Sequence, residues 1–343
     1  MRSPQTVLET LRKHAQETQY QYERLYRNLY NPQFYLLAYQ NLYANKGSMT
    51  PGADGKTISG MGMKRIEDLV KKIRDRSYQP HPARRQYISK KSGNGLRPLG
   101  IPSADDKLVQ EAVRMILESI YEPNFKQTSH GFRPNRSCHT ALAQIQRTFT
   151  GVSWFVEGDI KGCFDNIDHH ILIDILKRRI KDEAFIDLIW KLLRAGYIED
   201  WMRHQTYSGT PQGSGVSPLL ANIYMNELDQ FMEEYRGRFN KGDKRRFSNA
   251  YVNANHHYAR AKARNAKKWE LMNEEERENA RIMQKELQTT LLSTPSRDQM
   301  DPNYRRIVYV RYADDFLIGV IGSKTDAEQV KTDVGDFLKQ NLN

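Results

Sequence analysis

Ile307-Val308-Tyr309-Val310-Arg311-Tyr312-Ala313-Asp314-Asp315-Phe316-Leu317-Ile318-Gly319-Val320-Ile321 is the stretch on which the reading of this chain turns. Two short β-rich runs, 307–312 and 316–321, flank Ala313-Asp314-Asp315, the pattern of strand, tight turn and strand. Adjacent carboxylates in so apolar a setting repel each other and lose hydration, so they call for a cation. A straight strand sends neighbouring side chains to opposite faces, whereas a tight turn lets both approach one ion. Taken alone, an Asp-Asp pair reads as a solvated turn, and only its surroundings decide otherwise. A further acid, Asp159, closes another short and mostly apolar run, Trp154-Phe155-Val156-Glu157-Gly158-Asp159-Ile160. Three carboxylates from neighbouring strands make an oxygen-ligand site suited to Mg²⁺. Two such ions can activate a 3′-hydroxyl and stabilise a leaving pyrophosphate. The implied chemistry is nucleotidyl transfer, in which catalysis is mostly positioning and charge neutralisation.

The composition agrees with a polyanionic partner. The chain has 343 residues, with 53 Lys and Arg against 41 Asp and Glu, a formal net charge of +12. That surplus points to nucleic acid or to an anionic membrane. A chain this long can bury a sizeable core, and its 19 Tyr, 12 Phe and 4 Trp argue against disorder. No run reaches the ~18 apolar residues of a membrane span, and the first residues lack the apolar core of a signal peptide. Cys138 and Cys163 are the only cysteines, too few for a disulfide framework or a Cys-rich zinc site. A reducing compartment and a protein that is not secreted are the natural expectations.

Outward from the acidic turn, the remaining elements follow from periodicity and turn residues. Residues 1–45 carry leucines at broadly helical spacing, with Pro32 opening a second helix. Tyr20, Tyr22, Tyr26, Tyr30, Tyr35, Tyr39 and Tyr43 run through this region among basic residues. Such a mixture either stacks on bases and tracks phosphates or packs a helical pair, and the sequence weighs both equally. A loop dense in turn residues spans 46–55, and 66–73 is helical. Residues 86–90 and 96–102 flank Ser92-Gly93-Asn94-Gly95 as a hairpin. A helix is expected from 105 to 120 on an apolar stripe from Leu108 to Leu117, another over 170–193, and one from 218 to 232 after a flexible loop at 209–217. From 233 to 306 basic residues crowd together with few aliphatics, which reads as charged surface helices inserted between two core elements. The pairs His169-His170 and His256-His257 lack metal-ligand spacing and are expected to be structural or solvent-facing.

Several blocks together give the acidic residues a context. Tyr312-Ala313-Asp314-Asp315-Phe316 between two β runs matches the catalytic hairpin of reverse transcriptases, and Gly158-Asp159-Ile160-Lys161-Gly162-Cys163-Phe164-Asp165 is similar to the first palm motif of those polymerases. Thr210-Pro211-Gln212-Gly213-Ser214-Gly215-Val216-Ser217-Pro218-Leu219-Leu220-Ala221-Asn222-Ile223-Tyr224 strongly resembles the fourth block of group II intron-encoded proteins. Pro51-Gly52-Ala53-Asp54-Gly55, Arg97-Pro98-Leu99-Gly100-Ile101-Pro102 and Gly131-Phe132-Arg133-Pro134-Asn135-Arg136-Ser137 are further signatures. These blocks lie in family order from about 45 to 325, and the chain resembles a group II intron-encoded reverse transcriptase/maturase.

The resemblance implies an α+β fold: the fingers and palm of a right-hand polymerase, an antiparallel palm sheet with the catalytic hairpin packed on helices, and a helical N-terminal extension. It divides the chain into an RNA-binding extension at 1–50, fingers at 51–150, and palm at 151–343. Part of 170–213 would return to the fingers, and the basic insertion would occupy about 233–306. The family carries a thumb and a maturase region beyond the palm, so this chain is expected to hold the fingers–palm portion without them. The implied activity is RNA-directed DNA polymerisation with two Mg²⁺ ions (Mn²⁺ as a substitute), together with intron RNA binding that assists splicing and retrohoming. An RNA-binding splicing cofactor with an inactive polymerase core is the alternative. Asp159, Asp314 and Asp315 would hold the metals as a small internal cluster, with the Ile160 carbonyl as a further ligand. Phe164 would lie under the incoming sugar and exclude a 2′-hydroxyl. Lys90 and Arg97 would grip the triphosphate, Arg as a fork and Lys as a point charge, and Gln212 would contact nucleotide or template. Arg133 and Arg136 would line the template path. Cys163 would be a buried small residue, and Asp165 and Asp168 would cap or orient the following helix. The implied partners are group II intron RNA, an RNA template with a DNA primer, and deoxynucleoside triphosphates, with a homodimer left open and no membrane. The setting would be bacterial cytoplasm or an organelle.

Overall fold

The computed structural model describes every residue except 1, 46, 90–94, 161, 200, 201, 205, 207, 210–212 and 343, and it leaves the Arg203 side chain undescribed. Two helices open the chain, α1 (Pro4–Ala15) and α2 (Pro32–Tyr43). Each starts on a side-chain cap, Ser3 and Asn31, followed by proline, whose missing N–H costs nothing at a first helical position. Tyr22, Tyr26 and Tyr35 are buried, and each spends its hydroxyl on a carbonyl: Leu11, Ile73 and Leu29, at 3.0, 2.8 and 2.9 Å. For these three tyrosines packing wins over base stacking, while Tyr43 remains 59% exposed.

Next comes α3 (Met63–Arg74), which buries Ile66, Leu69, Val70 and Ile73 on one face. The hairpin expected around Ser92 is formed by β1 (Ala83–Ser89) and β2 (Leu96–Ile101), in register from Arg84 opposite Ile101 to Ser89 opposite Leu96. Helix α4 (Ala104–Tyr121), capped by Ser103, is buried along most of its surface, as befits a helix with neighbours on several sides. After α5 (Cys138–Thr148) the chain enters β3 (Trp154–Asp159), the short α6 (Cys163–Asn166), α7 (His169–Arg179) and α8 (Glu183–Leu193). Asp168 caps α7, accepting from the N–H groups of His170 and Ile171 at 2.7 and 3.0 Å. Strands β4 (Tyr197–Glu199) and β5 (Met202–His204) then join the first hairpin, β4 pairing parallel with β1 in the order β2-β1-β4-β5.

Helix α9 (Ser217–Phe239) runs seven residues beyond its expected end at 232. Its buried positions continue to Met232 and Phe239, so core packing carries it into the basic region. The insertion proper is therefore shorter than 233–306. Backbone bridges Lys241–Arg305 and Phe247–Arg297 close its base. Its helices α10 (Asn249–Lys268) and α11 (Glu274–Ser293) form a hairpin whose only buried residues are Ala261 and Asn265, both on α10. The chain returns through β6 (Arg306–Tyr312) and β7 (Asp315–Ile321) and ends in α12 (Lys324–Asn341).

Strands β3, β7 and β6 make an antiparallel sheet with β7 at its centre. One continuous apolar core joins this sheet to α4, α7, α8, α9 and the N-terminal helices, so the sheet's upper end, where the acidic turn lies, is carried on a rigid base. No helix among the described residues is long and apolar enough to cross a membrane.

Candidate active site

The turn between β6 and β7 is two residues long, Ala313 and Asp314, with Tyr312 paired to Asp315 across it. Ala313 takes a left-handed φ of +58°, a conformation strained for a residue with a side chain. Strand β3 lies on the other side of β7 and places Asp159 directly opposite Asp315. One step back, Gly158 faces Phe316. A Cβ on Gly158 would sit 2.0 Å from the Phe316 ring, so the glycine before Asp159 is required by the aromatic after Asp315. Two blocks distant in sequence are thus fitted to each other.

The three carboxylates are not the internal cluster that the sequence suggested. Asp159 and Asp315 are exposed and Asp314 is half-buried, because they stand at the open end of the sheet. They line a cleft of about 720 Å³ together with Arg97, Phe132 and Phe164. Partial burial, then the charges of Asp314, Asp159 and Glu157, raise the Asp315 carboxyl above the ordinary aspartate value. Among the described residues no group of three or more His, Cys, Asp or Glu side chains is gathered closely enough to hold a metal ion. Three like charges share one space only when a cation offsets their repulsion.

Below the cleft, Gly162 turns the chain at φ +62° into α6. The Ile160 carbonyl accepts the Cys163 N–H at 3.1 Å, which leaves it a second lone pair. Cys163 is buried, and burial together with the Asp314 charge pushes its thiol up to about 11. It is a small packing group, inert as a nucleophile at neutral pH. Phe164 is half-buried and meets Phe132 edge-on at 5.9 Å between ring centroids. The two rings form the apolar wall of the cleft beside the acids. Phe132 was not anticipated. Its left-handed φ of +55°, next to Gly131, is a backbone feature that the sequence only hints at.

Arg97, on β2 opposite Ile88, is exposed and lines the same cleft. Gly213 holds φ +107° and lies against the Gly100 carbonyl of β2. Lys90 and Gln212 lie outside the described residues. His169 is buried and its Nε2 donates to the Gly209 carbonyl at 2.6 Å, while His170, His256 and His257 are exposed.

Arg133 does not line a template path as the resemblance implied. Its guanidinium pairs with Glu122 at 2.8 Å, donates to the carbonyls of Lys126 and Ser129 at 2.7 Å each, and lies over the Phe125 ring. It is consumed by the protein interior and is not free to face a template. Arg136 is half-buried and donates to the Gln127 carbonyl at 2.8 Å. Burial, then the Arg133 charge, lowers its pKa. It borders a groove of about 1000 Å³ with Arg12, Gln16, Gln144 and Arg147, apart from the acidic cleft. Arg311, whose only sequence signal is a charge inside an apolar strand run, is 1% exposed and pairs with Asp229 at 2.6 Å.

The comparisons with known proteins fit this geometry. The family model described as "Reverse transcriptase (RNA-dependent DNA polymerase)" matches residues 88–252. The "Group II intron-encoded protein LtrA" of Lactococcus lactis subsp. cremoris is 46% identical over all 343 residues, which is 56% of that protein. The "Putative COX1/OXI3 intron 1 protein" of Saccharomyces cerevisiae is 40% identical over 309 residues, covering 90% of this chain and 35% of that one. "Protein YkfC" of Escherichia coli is 33% identical over 329 residues, covering 93% of this chain and 76% of that one. The chain thus spans little more than half the length of its Lactococcus relative.

Proposed function

The chain belongs to the reverse transcriptase family, on the branch of the group II intron-encoded proteins, and from that premise we propose that it copies an RNA template into DNA and binds intron RNA to assist splicing. The observation that carries the proposal is the cleft. Arg97, the Asp159–Phe164 block and the Asp314-Asp315 turn come from three separated stretches of sequence and two different sheets, yet they line one space.

The donors present suit divalent metal. Asp159 and Asp315 face each other across an antiparallel pair, Asp314 adjoins them, and burial, then the charges of Asp314 and Asp159, raise the Asp315 carboxyl. Carboxylate and carbonyl oxygens are hard ligands, which favours Mg²⁺ with Mn²⁺ as a substitute. Asp159, Asp314, Asp315 and the Ile160 carbonyl would hold two ions, and the bound metals would supply charge neutralisation at the primer hydroxyl and the pyrophosphate.

The chain's own residues do the rest. Arg97 offers a planar fork to triphosphate oxygens, and Lys90 and Gln212 would add further contacts. Phe164, backed by Phe132, would present an apolar ring to the sugar, and a phenyl ring offers a 2′-hydroxyl no polar partner. Burying a hydroxyl without a hydrogen bond is unfavourable, so a deoxyribose is preferred there. Arg12, Arg136 and Arg147 border the separate groove, which suits an RNA backbone. On this reading 1–50 is the RNA-binding extension, 51–150 the fingers and 151–343 the palm, and the protein works where its intron is transcribed, in bacterial cytoplasm or an organelle.

The test is extension of oligo(dT) on poly(rA) with Mg²⁺, using this chain and its longest natural form. Asp314→Ala should abolish extension while intron RNA binding persists and weakens steeply with salt through counterion release. Extension by the variant, or RNA binding indifferent to salt, would overturn the assignment.

A further inference from the structure

The left-handed turn that carries the acids does not hold its shape alone. Directly beneath it, Arg311 is fully buried and uses every N–H of its guanidinium group. Nε and Nη2 donate to the two oxygens of Asp229 at 2.8 and 2.6 Å, Nη2 also to Ser129 Oγ at 2.8 Å, and Nη1 to Asn222 Oδ1 at 3.1 Å and to the Ala313 carbonyl at 2.7 Å. Asn222 and Asp229 both come from α9, seven residues apart and so on one face of it. Asp229 further accepts the Tyr309 hydroxyl at 2.8 Å.

A second contact closes the arrangement. Asn222 Nδ2 donates to the Gly131 carbonyl at 2.7 Å. Segment 128–131 runs beside Arg311, which donates its backbone N–H to the Thr128 carbonyl at 2.8 Å and accepts the His130 N–H at 2.9 Å. A Cβ on Gly131 would stand 2.3 Å from the Ala313 nitrogen, so only glycine lets this segment press against the back of the turn. Gly131, Asn222 and Arg311 belong to three different sequence blocks, none of which needs a buried polar residue for its own secondary structure.

We infer that Arg311, tied by Asp229 and Asn222 to α9, is a positioning residue that holds the Ala313 carbonyl and thereby fixes the direction of Asp314 and Asp315. This rests on the polymerase reading only in taking those acids as the working groups. The argument is geometric. An alanine in the left-handed region is strained and persists only where its surroundings over-determine it, and here one face is blocked by Gly131 while the carbonyl is anchored by a charged donor. A lysine at 311 could satisfy Asp229 with its compact ammonium but could not also span to the Ala313 oxygen, because the fork is what reaches both.

The test compares the unaltered chain with Arg311→Lys, reading Mn²⁺ affinity by electron paramagnetic resonance of the free ion, the thermal melt, and kcat against KM for deoxynucleotide in primer extension. The expected result is a cooperative melt with Mn²⁺ affinity and kcat each lower by roughly tenfold or more, the worth of one charge-assisted hydrogen bond, and KM changed much less. A variant that melts cooperatively and keeps wild-type Mn²⁺ affinity and kcat overturns the inference, as does a loss confined to the melt. If Arg311→Lys does not fold, Asn222→Ala, which leaves the Arg311–Asp229 pair in place, decides by the same readouts. A chain that binds Mn²⁺ but extends no primer would refute the polymerase reading, and the affinity comparison would still decide the role of Arg311.

Discussion

Replacing Asp315 by asparagine should make the metal-free protein more stable while removing its activity. Asp315 stands directly opposite Asp159 on the adjacent strand, and like charges so placed destabilise a sheet by roughly 0.2–1 kcal/mol. Asp314 adds a further negative charge. Exposure to solvent and salt screening hold the effect to the lower part of that range. The sign follows from titration. The folded carboxyl lies above its unfolded value because of burial, Asp314 and Asp159, so the penalty is absent at low pH and grows as pH rises through the folded pKa, reaching its full size at neutrality. At pH 7 in EDTA, Asp315→Asn should therefore melt at or slightly above wild type, by up to about 1 °C. Saturating Mg²⁺ should reverse the order, since a ligand at a hundred times its dissociation constant adds about 2.7 kcal/mol to the protein that binds it. The assay is a pair of melting curves for each protein, with EDTA and with Mg²⁺, beside primer extension. A variant that melts well below wild type in EDTA, or that gains as much from Mg²⁺, would refute the account of this turn as a charge-strained cation site.

Other residues offer independent checks. Gly158→Ala drives a methyl into the buried Phe316 ring and should lower unfolding free energy in urea by about 1–3 kcal/mol, the usual cost of overpacking; an unchanged midpoint would mean that the ring has room to move. Phe164→Ala should narrow the preference for deoxynucleotides over ribonucleotides in kcat/KM by roughly tenfold or more, and an unaltered ratio would remove it as the sugar gate. His169 is buried and its pKa is lowered, chiefly by burial. The unfolded chain therefore takes up the proton first, and stability should fall as pH drops below the ordinary histidine value of about 6.5. His169→Gln should flatten that fall in melts taken from pH 7.5 to 5.5, whereas an identical profile would assign the acid sensitivity to other groups.

Much of the site was legible because local chemistry writes itself into short stretches. The strand–turn–strand around Asp314, the hairpin that carries Arg97, the cap at Asp168 and the helix opened by Pro32 all depend on residues near one another in the chain. Other readings failed where the deciding partner is distant. The sequence places Arg133 on a template path because it does not reveal that Glu122 and two carbonyls hold its guanidinium. The N-terminal tyrosines, for which the sequence weighs packing and stacking equally, divide between core and surface by their tertiary partners, Tyr26 for instance reaching the Ile73 carbonyl of α3. The insertion began later than its charge suggested because the buried face of α9 continues beneath basic neighbours.

The sequence by itself determined which residues carry charge, which turns are tight, and that several blocks of one family stand in order, since each of these depends on residue type and short spacing. It could not decide whether the acids are enclosed or open, or what holds their turn. Asp159 meets Asp315 only through the pairing of β3 with β7, and Arg311 reaches Asp229, Asn222 and Ser129 only because α9 and segment 128–131 pack against β6. Close approach, burial and the satisfaction of a buried charge belong to pairs of groups far apart in the chain, and only the folded arrangement brings them within range of each other.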